Sequence, residues 1–271
     1  MRVGILYAED PSFFSPLVRE VIRLRPQSVV AVLRAGSRSA GPGPKRWEDR
    51  LERIGTLWLI WQTPGFLREL TRRLLAMVTR RLGPRFDTWS VEAAARSAGI
   101  PFVACQDPNA PAFIDLLETL ELDVLFNQTD RILKTPLLTV PWLGVVNRHG
   151  SLLPRFRGRM ASFWSHAAEP PEEGVTFHLV DEGLDTGPIL LQSRLEVDPR
   201  WSYPQVLGTH RDRSPGLFWE AVDRLYTPGF APAPNPHEGT PIHRFPTWEQ
   251  ALRYRRVLRA RRKRDRRRPT D

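Results

Sequence analysis

The chain has 271 residues, of which 41% are hydrophobic, and its 40 Lys and Arg against 30 Asp and Glu give a formal net charge of +10. This length predicts one large domain with an appendage rather than two equal domains, and the positive charge predicts attraction to polyanions such as nucleic acid, acidic lipid or phosphorylated substrates. Cys105 is the only cysteine, which excludes an intrachain disulfide and suits a reducing compartment.

The chain opens with a βαβ pattern. We predict a strand at 2–8, an amphipathic helix at 16–24 and a second strand at 28–33, an order typical of a parallel sheet. The loop after the first strand has no glycine-rich phosphate motif, and Glu9 and Asp10 would repel a phosphate, so the sequence argues against a dinucleotide site. Because the first strand begins at once and no apolar run reaches the length of a membrane-spanning helix, we expect a cytoplasmic protein without a secretory signal.

Residues 45–86 form an unusual block after a linker of Gly, Ser, Pro and Ala at 35–44. The block predicts two helices broken at Thr63-Pro64-Gly65, with apolar residues and arginines alternating at helical spacing. We interpret it as a helical insertion whose apolar face forms a lid or the contact of a homodimer. The alternative is peripheral membrane association, with Trp58 and Trp61 at headgroup depth and the arginines on anionic lipid.

The middle of the chain predicts the rest of a sheet. We predict a helix at 91–98, a strand at 101–104, a helix at 111–120, a strand at 123–126 and, beside that last strand, a buried strand at 143–146. The fold class that follows is α/β, with a Rossmann-like, open, mostly parallel twisted sheet and helices on both faces.

Two loops carry the polar residues on which the functional prediction rests. Asn147 and His149 follow the strand at 143–146, at the carboxyl edge of the sheet where such folds keep their chemistry. Alternation at 175–180 predicts another strand, which enters the turn DEGLDTGP containing Asp185. We therefore expect an amide, an imidazole and a carboxylate to meet in space.

These residues carry a resemblance. The order Asn147-x-His149-x-Ser151-Leu152-Leu153-Pro154, then Arg157-Gly158, then Asp185-x-Gly187-Pro188-Ile189-Leu190 resembles the folate-dependent formyltransferase family. The resemblance is specific over 123–192, looser over 1–33, and does not cover 45–86. Gly150 stands where relatives usually have proline, and we expect the loop to tolerate it because the loop needs a defined bend more than a ring.

The resemblance implies 10-formyltetrahydrofolate as the formyl donor and gives the three polar side chains catalytic roles. Asn147 and a protonated His149 would stabilise the negative charge that develops on the formyl oxygen as an amine attacks. Asp185 would accept a proton, directly or through a water, and hold the imidazole charged. No spacing of His, Cys and Asp suggests a metal site.

In relatives, the loop after the strand at 123–126 holds the pterin ring. The residues predicted to bind the cofactor are Arg131, Ile132, Leu133, Val180, Asp181, Glu182 and Gly183. The preceding residues 127–130 are more polar than is usual in the family. The alternative is a surface loop whose polarity reflects solvation alone.

Ser151, Arg157 and Gly158 are predicted to bind the acceptor. Arg157-Gly158 matches the family motif, and arginines at the rim of a cleft bind phosphate or carboxylate through paired hydrogen bonds. The alternative is a solvated rim of arginines that pairs with the acidic residues of the DEGLDTGP turn. The remaining histidines of this region, His166 and His178, are predicted to be structural.

The C-terminal part is predicted to be an extension, with 1–226 as the catalytic domain and 227–271 as a Pro-rich loop, a short helix and a basic tail. A helix at 203–226, interrupted at Pro215-Gly216, would pack on the sheet, and Thr247 would cap the short helix. Methionyl-tRNA formyltransferases continue at this point into a β-barrel that grips tRNA. The residues that follow are too few for that barrel, so the sequence argues against tRNA as a partner.

The function predicted from the sequence is formyl transfer from 10-formyltetrahydrofolate to an amine of a small, anionic acceptor. The alternatives are a folate-binding protein without turnover and a relative that hydrolyses formyl-folate to formate.

Overall fold

A computed structural model describes residues 1–10, 13–36 and 90–265, together with positions 56, 57, 60, 71, 74, 75 and 78. Most of the predicted linker at 35–44, most of the insertion at 45–86 and the last residues of the basic tail lie outside the described residues. No described helix is long and apolar enough to cross a membrane.

The main sheet has seven strands in the order β3-β2-β1-β4-β5-β7-β8. The strands are β1 Val3–Ala8, β2 Val29–Ala35, β3 Phe102–Cys105, β4 Val124–Gln128, β5 Gly144–His149, β6 Arg157–Gly158, β7 Gly174–Leu179, β8 Ile189–Arg194 and β9 Ile242–His243. β1 to β5 pair in parallel, whereas β7 and β8 are antiparallel to their neighbours. β6 and β9 form a separate parallel pair.

Helices cover both faces of this sheet. They are α1 Phe14–Leu24, α2 Val91–Ser97, α3 Pro111–Thr119, α4 Thr135–Leu138, α5 Ala161–Ala167, α6 Tyr203–Leu225 and α7 Trp248–Asp265, with a short 3-10 turn at Pro26–Ser28. The predicted Rossmann-like architecture is confirmed, and the strand predicted at 123–126 does lie beside the strand that carries Asn147.

Two apolar layers hold the sheet between the helices. On one face, α1, α2 and α6 pack on β1, β4 and β5, and the rings of Phe126 and Phe218 stack with centroids 4.0 Å apart. On the other face, α3 and α4 pack on Leu6, Leu125 and Val145. Because strand side chains alternate between faces, β5 contributes Val145 to one layer and Val146 to the other.

The predicted interruption of α6 at Pro215 is wrong, because the helix runs unbroken from Tyr203 to Leu225. A proline inside a helix removes one backbone hydrogen bond and costs roughly 3 kcal/mol in isolation. Here Pro215 is buried, and the complete burial of Phe218 and Val222 in the turns that follow offsets that cost. Tertiary packing therefore overrides the local signal.

α7 runs to Asp265, so the last helix extends into the predicted basic tail. Thr247 caps the helix as predicted: its hydroxyl accepts from the amide of Gln250 at 3.3 Å, and the Gln250 side chain accepts from the Thr247 amide at 2.8 Å. Tyr254 and Leu258 are buried against the cluster around α5 and the start of α6. This packing anchors a segment whose charge alone would favour solvation.

Candidate active site

The central strand β5 presents its side chains to two different environments. Asn147 and His149 point to the same side because they are two residues apart, and Arg148 points to the other. β7 runs antiparallel beside β5, with His178 opposite Asn147 and Thr176 opposite His149. The strand therefore presents an amide and an imidazole side by side at its carboxyl end.

His149 faces hydrogen-bond acceptors with both ring nitrogens. Its Nδ1 lies 3.4 Å from Oδ1 of Asp185, and its Nε2 lies 3.1 Å from the carbonyl oxygen of Phe156. The imidazole is 5% exposed, so neither acceptor is replaced by bulk water. A neutral ring can donate to only one of these two acceptors, whereas a doubly protonated ring can donate to both.

Asp185 is held ionised by its surroundings. Burial alone would raise the pKa of this carboxyl, but attraction to His149, the hydrogen bond from that ring and a further one from the Gly158 amide lower the pKa to about 2. The Gly158 amide donates to Oδ2 at 2.8 Å. His149 and Asp185, which the sequence predicted to meet in space, therefore lie in direct contact.

The turn that carries Asp185 is fixed by its backbone. Asp185 itself adopts a left-handed conformation with φ of 53°. At Gly187, a Cβ would overlap the carbonyl oxygen of Leu179, so only glycine fits there. Asn235 donates to the carbonyl oxygens of Asp185 at 3.0 Å and Gly187 at 3.1 Å.

Asn235 was missed by the sequence analysis. It lies in the Pro-rich segment predicted to be a simple loop, 50 residues from Asp185, and nothing in its local pattern indicates a contact with the turn. Its burial, at 7% exposure, and its two bonds to the turn identify it as a brace for Asp185.

His178 belongs to the site, and the prediction that it is merely structural missed this. Its Nε2 lies 3.1 Å from Nδ2 of Asn147 and 3.8 Å from Oδ1 of Asp185. Its Nδ1 lies 2.8 Å from the carbonyl oxygen of Leu179, so that nitrogen carries the proton and Nε2 accepts from the Asn147 amide. Burial lowers the pKa of His178, which keeps the ring neutral and able to accept. The alternation predicted β7 but not its register with β5, which places His178 opposite Asn147.

The residues predicted to bind the acceptor lie close to the site, but their polar groups are engaged by the protein. Arg157 is buried, and its guanidinium donates to the carbonyl oxygen of Leu184 at 2.8 and 3.0 Å and to that of His237 at 3.3 Å. Ser151 is fully buried, and its hydroxyl donates to the carbonyl oxygen of Arg155. These side chains shape the loop around Asp185.

Gly150 departs from the family pattern, but the loop does not use the conformational freedom of glycine at this position. A Cβ at this position would meet its nearest neighbours at 3.4 to 3.6 Å, which is ordinary contact, and its φ is not positive. The loop is instead fixed by Thr176, whose hydroxyl donates to the carbonyl oxygen of Ser151 at 2.7 Å and accepts from the Leu153 amide at 3.1 Å.

The two segments predicted to bind the cofactor lie together. The hydroxyl of Thr135, just after the 131–133 loop, donates to Glu182 in the 180–183 turn. Asn109 clamps the first loop, since its side chain bonds to the backbone of Ile132 at 2.9 Å and of Lys134 at 2.8 Å. Ile132 is 68% exposed.

The remaining predicted cofactor residues form the walls of this region. Leu133 is buried, Val180 donates its amide to Val145 at 2.8 Å, and the carboxylate of Asp181 accepts from the Gly183 amide at 3.1 Å. Arg131 donates to the carbonyl oxygen of Gly36 at 2.9 Å.

The polar segment that precedes this loop differs from its prediction. Asn127 and Gln128 are the last residues of β4 and are buried, not part of a solvated loop. Asn127 satisfies its side-chain oxygen locally with the amide of Thr129 at 3.2 Å. The side-chain oxygen of Gln128 has no hydrogen-bond partner among the described residues.

No group of His, Cys, Asp and Glu within the described part of the chain is arranged to hold a metal ion. The chemistry of the site is that of an amide, two imidazoles and a carboxylate.

A Rossmann-like sheet that brings polar side chains together at the carboxyl end of an inner strand has its candidate site where α/β folds usually bind ligands. The profile of the formyl transferase family matches residues 85–222, a little over half of the chain, and this range contains all the residues predicted for the site. The chain belongs to the formyl transferase family, and the resemblance inferred from its motifs is confirmed.

Curated relatives align over part of the chain. The methionyl-tRNA formyltransferase of Myxococcus xanthus is 34% identical over 154 residues, which is 55% of this chain and 48% of the relative. That of a Synechococcus strain is 46% identical over 90 residues, 33% of this chain and 28% of the relative. The chain thus spans less than half of the length of these relatives.

Solved structures share the fold. A phosphoribosylglycinamide formyltransferase from Anaplasma phagocytophilum superposes with a TM-score of 0.55 at 18% identity, covering 83% of this chain and 86% of that one. A sugar N-formyltransferase from a Shewanella species also gives 0.55 at 14% identity, covering 95% of this chain and 87% of that one.

Proposed function

We propose that this chain transfers a formyl group from 10-formyltetrahydrofolate to an amine on an anionic acceptor. The observation that carries the proposal is the convergence on Asp185 of His149 at 3.4 Å and His178 at 3.8 Å, with Asn147 held by His178, in a member of the formyl transferase family.

Asn147 and His149 are the groups that would stabilise the developing negative charge. The amide of Asn147 has two N–H bonds, of which one is donated to His178, so the other is available to the formyl oxygen. His149 would supply a second donor through Nε2, which must exchange the carbonyl oxygen of Phe156 for the formyl oxygen. Preorganised donors of this kind act on the transition state more than on the bound substrate.

Asp185 would act mainly by orienting His149. A carboxylate with a pKa of about 2 is a weak base at neutral pH, so direct removal of the amine proton by Asp185 is inefficient. Its contact with Nδ1 of His149 would instead orient the ring, and the amine proton would leave through water.

The folate would lie between the 131–133 loop and the 180–183 turn. When bound, it supplies the formyl group and leaves as tetrahydrofolate. The backbone groups of the turn would bind the edge of the pterin, and Ile132 and Leu133 would cover its face.

The proposed acceptor is an amine on an anionic molecule. The net charge of +10 supports this, because it attracts anions. The relatives with 34% and 46% identity are named methionyl-tRNA formyltransferases, against the expectation that tRNA is not a partner. These names favour an aminoacyl-tRNA as the second candidate. Phosphoribosylglycinamide and aminosugars are the acceptor types in the names of proteins with the same fold.

The test is to incubate the protein with the formyl donor and each acceptor type, and to follow release of tetrahydrofolate. Acceleration by at least one amine supports the proposal. If neither tetrahydrofolate nor formate appears with any acceptor, the chain has no turnover and a folate-binding role replaces the enzyme. Formate without dependence on an amine would mean hydrolysis.

A further inference from the structure

The last helix, α7, has two faces of opposite character. Ala251, Tyr254 and Leu258 are at most 2% exposed and pack in the cluster formed with α5 and α6. The opposite face carries four exposed cations at helical spacing. These are Arg253, Arg256, Arg259 and Lys263.

The outward cations of α7 are available to a ligand. Within the described part of the chain, none of the four forms an ion pair or a side-chain hydrogen bond. Their neighbours behave differently: Arg261 donates to the carbonyl oxygens of His166 and Ala168 at 2.9 and 2.6 Å, and Arg262 donates to that of Arg200 at 2.9 Å. The helix therefore uses its inward arginines for packing and leaves the outward row to solvent.

The ligand of this face must be recognised by charge. A helix that lies in a membrane interface inserts its apolar face into the lipid. In α7 that face is already buried in the protein, with Ala251 at 0%, Tyr254 at 2% and Leu258 at 1% exposure. The main apolar stripe of the helix is thus occupied by the protein, and the outward face is mostly cationic, which fits a polyanion in solution.

The row has the length and surroundings of a nucleic-acid contact. From Arg253 to Lys263 a helix rises by about 15 Å, a span that faces several phosphates of a nucleic-acid strand. Trp248, the first residue of the helix, is 40% exposed, and an exposed indole is a surface on which unpaired bases stack. Three more arginines, Arg266 to Arg268, follow in the sequence.

The helix also begins close to the candidate active site. His243, five residues before Trp248, pairs with Gly158, whose amide donates to Asp185. We propose that the outward face of α7 binds the phosphate backbone of single-stranded RNA, with Trp248 stacking on an unpaired base. Single-stranded segments are where folded RNA exposes such bases. The proposal concerns binding and does not depend on formyl transfer.

The experiment measures binding of a short fluorescein-labelled single-stranded RNA to the full chain by anisotropy at several salt concentrations. The test variant replaces Arg253, Arg256, Arg259 and Lys263 with Gln, a good helix former that keeps α7 folded. The matched control replaces four exposed arginines elsewhere, namely Arg23, Arg96, Arg194 and Arg213, with Gln, so both variants have the same net charge.

We expect the α7 variant to bind RNA at least about tenfold more weakly than the control at low salt, with a shallower dependence of affinity on salt. Trp248→Ala should weaken binding about fivefold or more, which a purely electrostatic contact would not show. Equal weakening in the two four-site variants would mean that only net charge matters and would overturn the proposal. So would tighter binding to anionic phospholipid vesicles than to RNA, or RNA binding unchanged in the α7 variant when circular dichroism shows both proteins folded.

Discussion

Asp185 is the residue at which the candidate site converges. One oxygen of its carboxylate faces His149 and His178, and the other accepts from the Gly158 amide. A single carboxylate thereby orients the two imidazoles and the loop between them. The left-handed backbone of Asp185 is held by the buried Asn235, so its position depends on the fold rather than on local preference.

The depressed pKa of Asp185 makes stability depend on pH in the acid range. The folded-state pKa is about 2 against an ordinary value of 3.8, so the ionised group stabilises the fold above about pH 4, and that contribution is lost as the pH falls towards 2. The difference corresponds to roughly 2 kcal/mol. Urea unfolding between pH 2 and 6 should show this loss in the wild type and a flatter profile in Asp185→Asn; parallel profiles would contradict the assigned pKa.

Removal of the catalytic side chains should affect the rate more than the affinity for folate. We expect His149→Ala to lower the rate of the chemical step by about 10²–10⁴-fold and Asn147→Ala by about 10²–10³-fold. Folate affinity should stay within a few-fold, because the cofactor is expected to contact the 131–133 loop and the 180–183 turn instead. Single-turnover kinetics with a folate titration measure both quantities. A parallel loss of rate and affinity would mean that these residues only shape the loop.

His178 should act as a positioning residue for Asn147. His178→Phe removes the acceptor at Nε2, so the amide of Asn147 can rotate and kcat should fall by about tenfold or more with little change in KM. His178→Gln keeps an acceptor oxygen and should restore part of the rate. His166→Phe is the matched control, since His166 is an equally buried imidazole bonded to Tyr254 at 2.9 Å. If both phenylalanine variants lower kcat alike, the effect is general destabilisation.

At the scale of elements, a series of buried polar side chains holds β5 in place on the face opposite His149. Arg148, on the face opposite His149, donates to Nδ1 of His210 at 2.7 Å and to the Ser214 hydroxyl at 2.9 Å. Nε2 of His210 lies 2.8 Å from the carboxylate of Glu173. These contacts join β5 to α6 and to the segment before β7, so they fix the strand between its neighbours.

Glu173 gives this series of polar side chains a pH dependence of the opposite sign to that of Asp185. Burial raises the pKa of Glu173 from 4.5 to about 8. A raised folded-state pKa favours the fold at low pH, and this contribution is lost as the pH rises through about 8. In Glu173→Gln the group no longer titrates, so the variant should gain stability relative to the wild type between about pH 5 and pH 8. Thermal unfolding across this range measures the difference, and a constant or declining difference would contradict the account.

The sequence predicted those elements whose signals are local. The inward stripe of α1, with Leu17, Val18, Val21 and Ile22, and the Thr247 cap could be predicted because period and capping depend on neighbouring residues. The end of β4 could not be predicted in this way, since the burial of Asn127 and Gln128 depends on the strands on either side.

The same difference between local signals and long-range contacts applies to the candidate site. Asn147, His149 and Asp185 were predicted from two motifs, whereas His178 and Asn235 required knowledge of strand register and of a contact 50 residues away. The guanidinium of Arg157 was predicted to meet the acceptor and is instead bonded to backbone carbonyl groups, which its sequence neighbours do not reveal.

At the scale of the whole molecule, the segment after α6 closes on the site instead of standing apart. β9 pairs with β6, Asn235 braces the Asp185 turn, and Thr240 lies 3.3 Å from the guanidinium of Arg157. Changes in this segment are therefore expected to reach the site even though the family profile ends at residue 222.

The most direct test of formyl transfer follows the carbon itself. The protein is incubated with a formyl-folate labelled in the formyl group and with each candidate amine, and the label is traced to an N-formyl product or to free formate. The account predicts label in an N-formyl product for at least one anionic amine, with the yield abolished in His149→Ala. Label found only in formate, or transfer that persists at the wild-type rate in that variant, would contradict it.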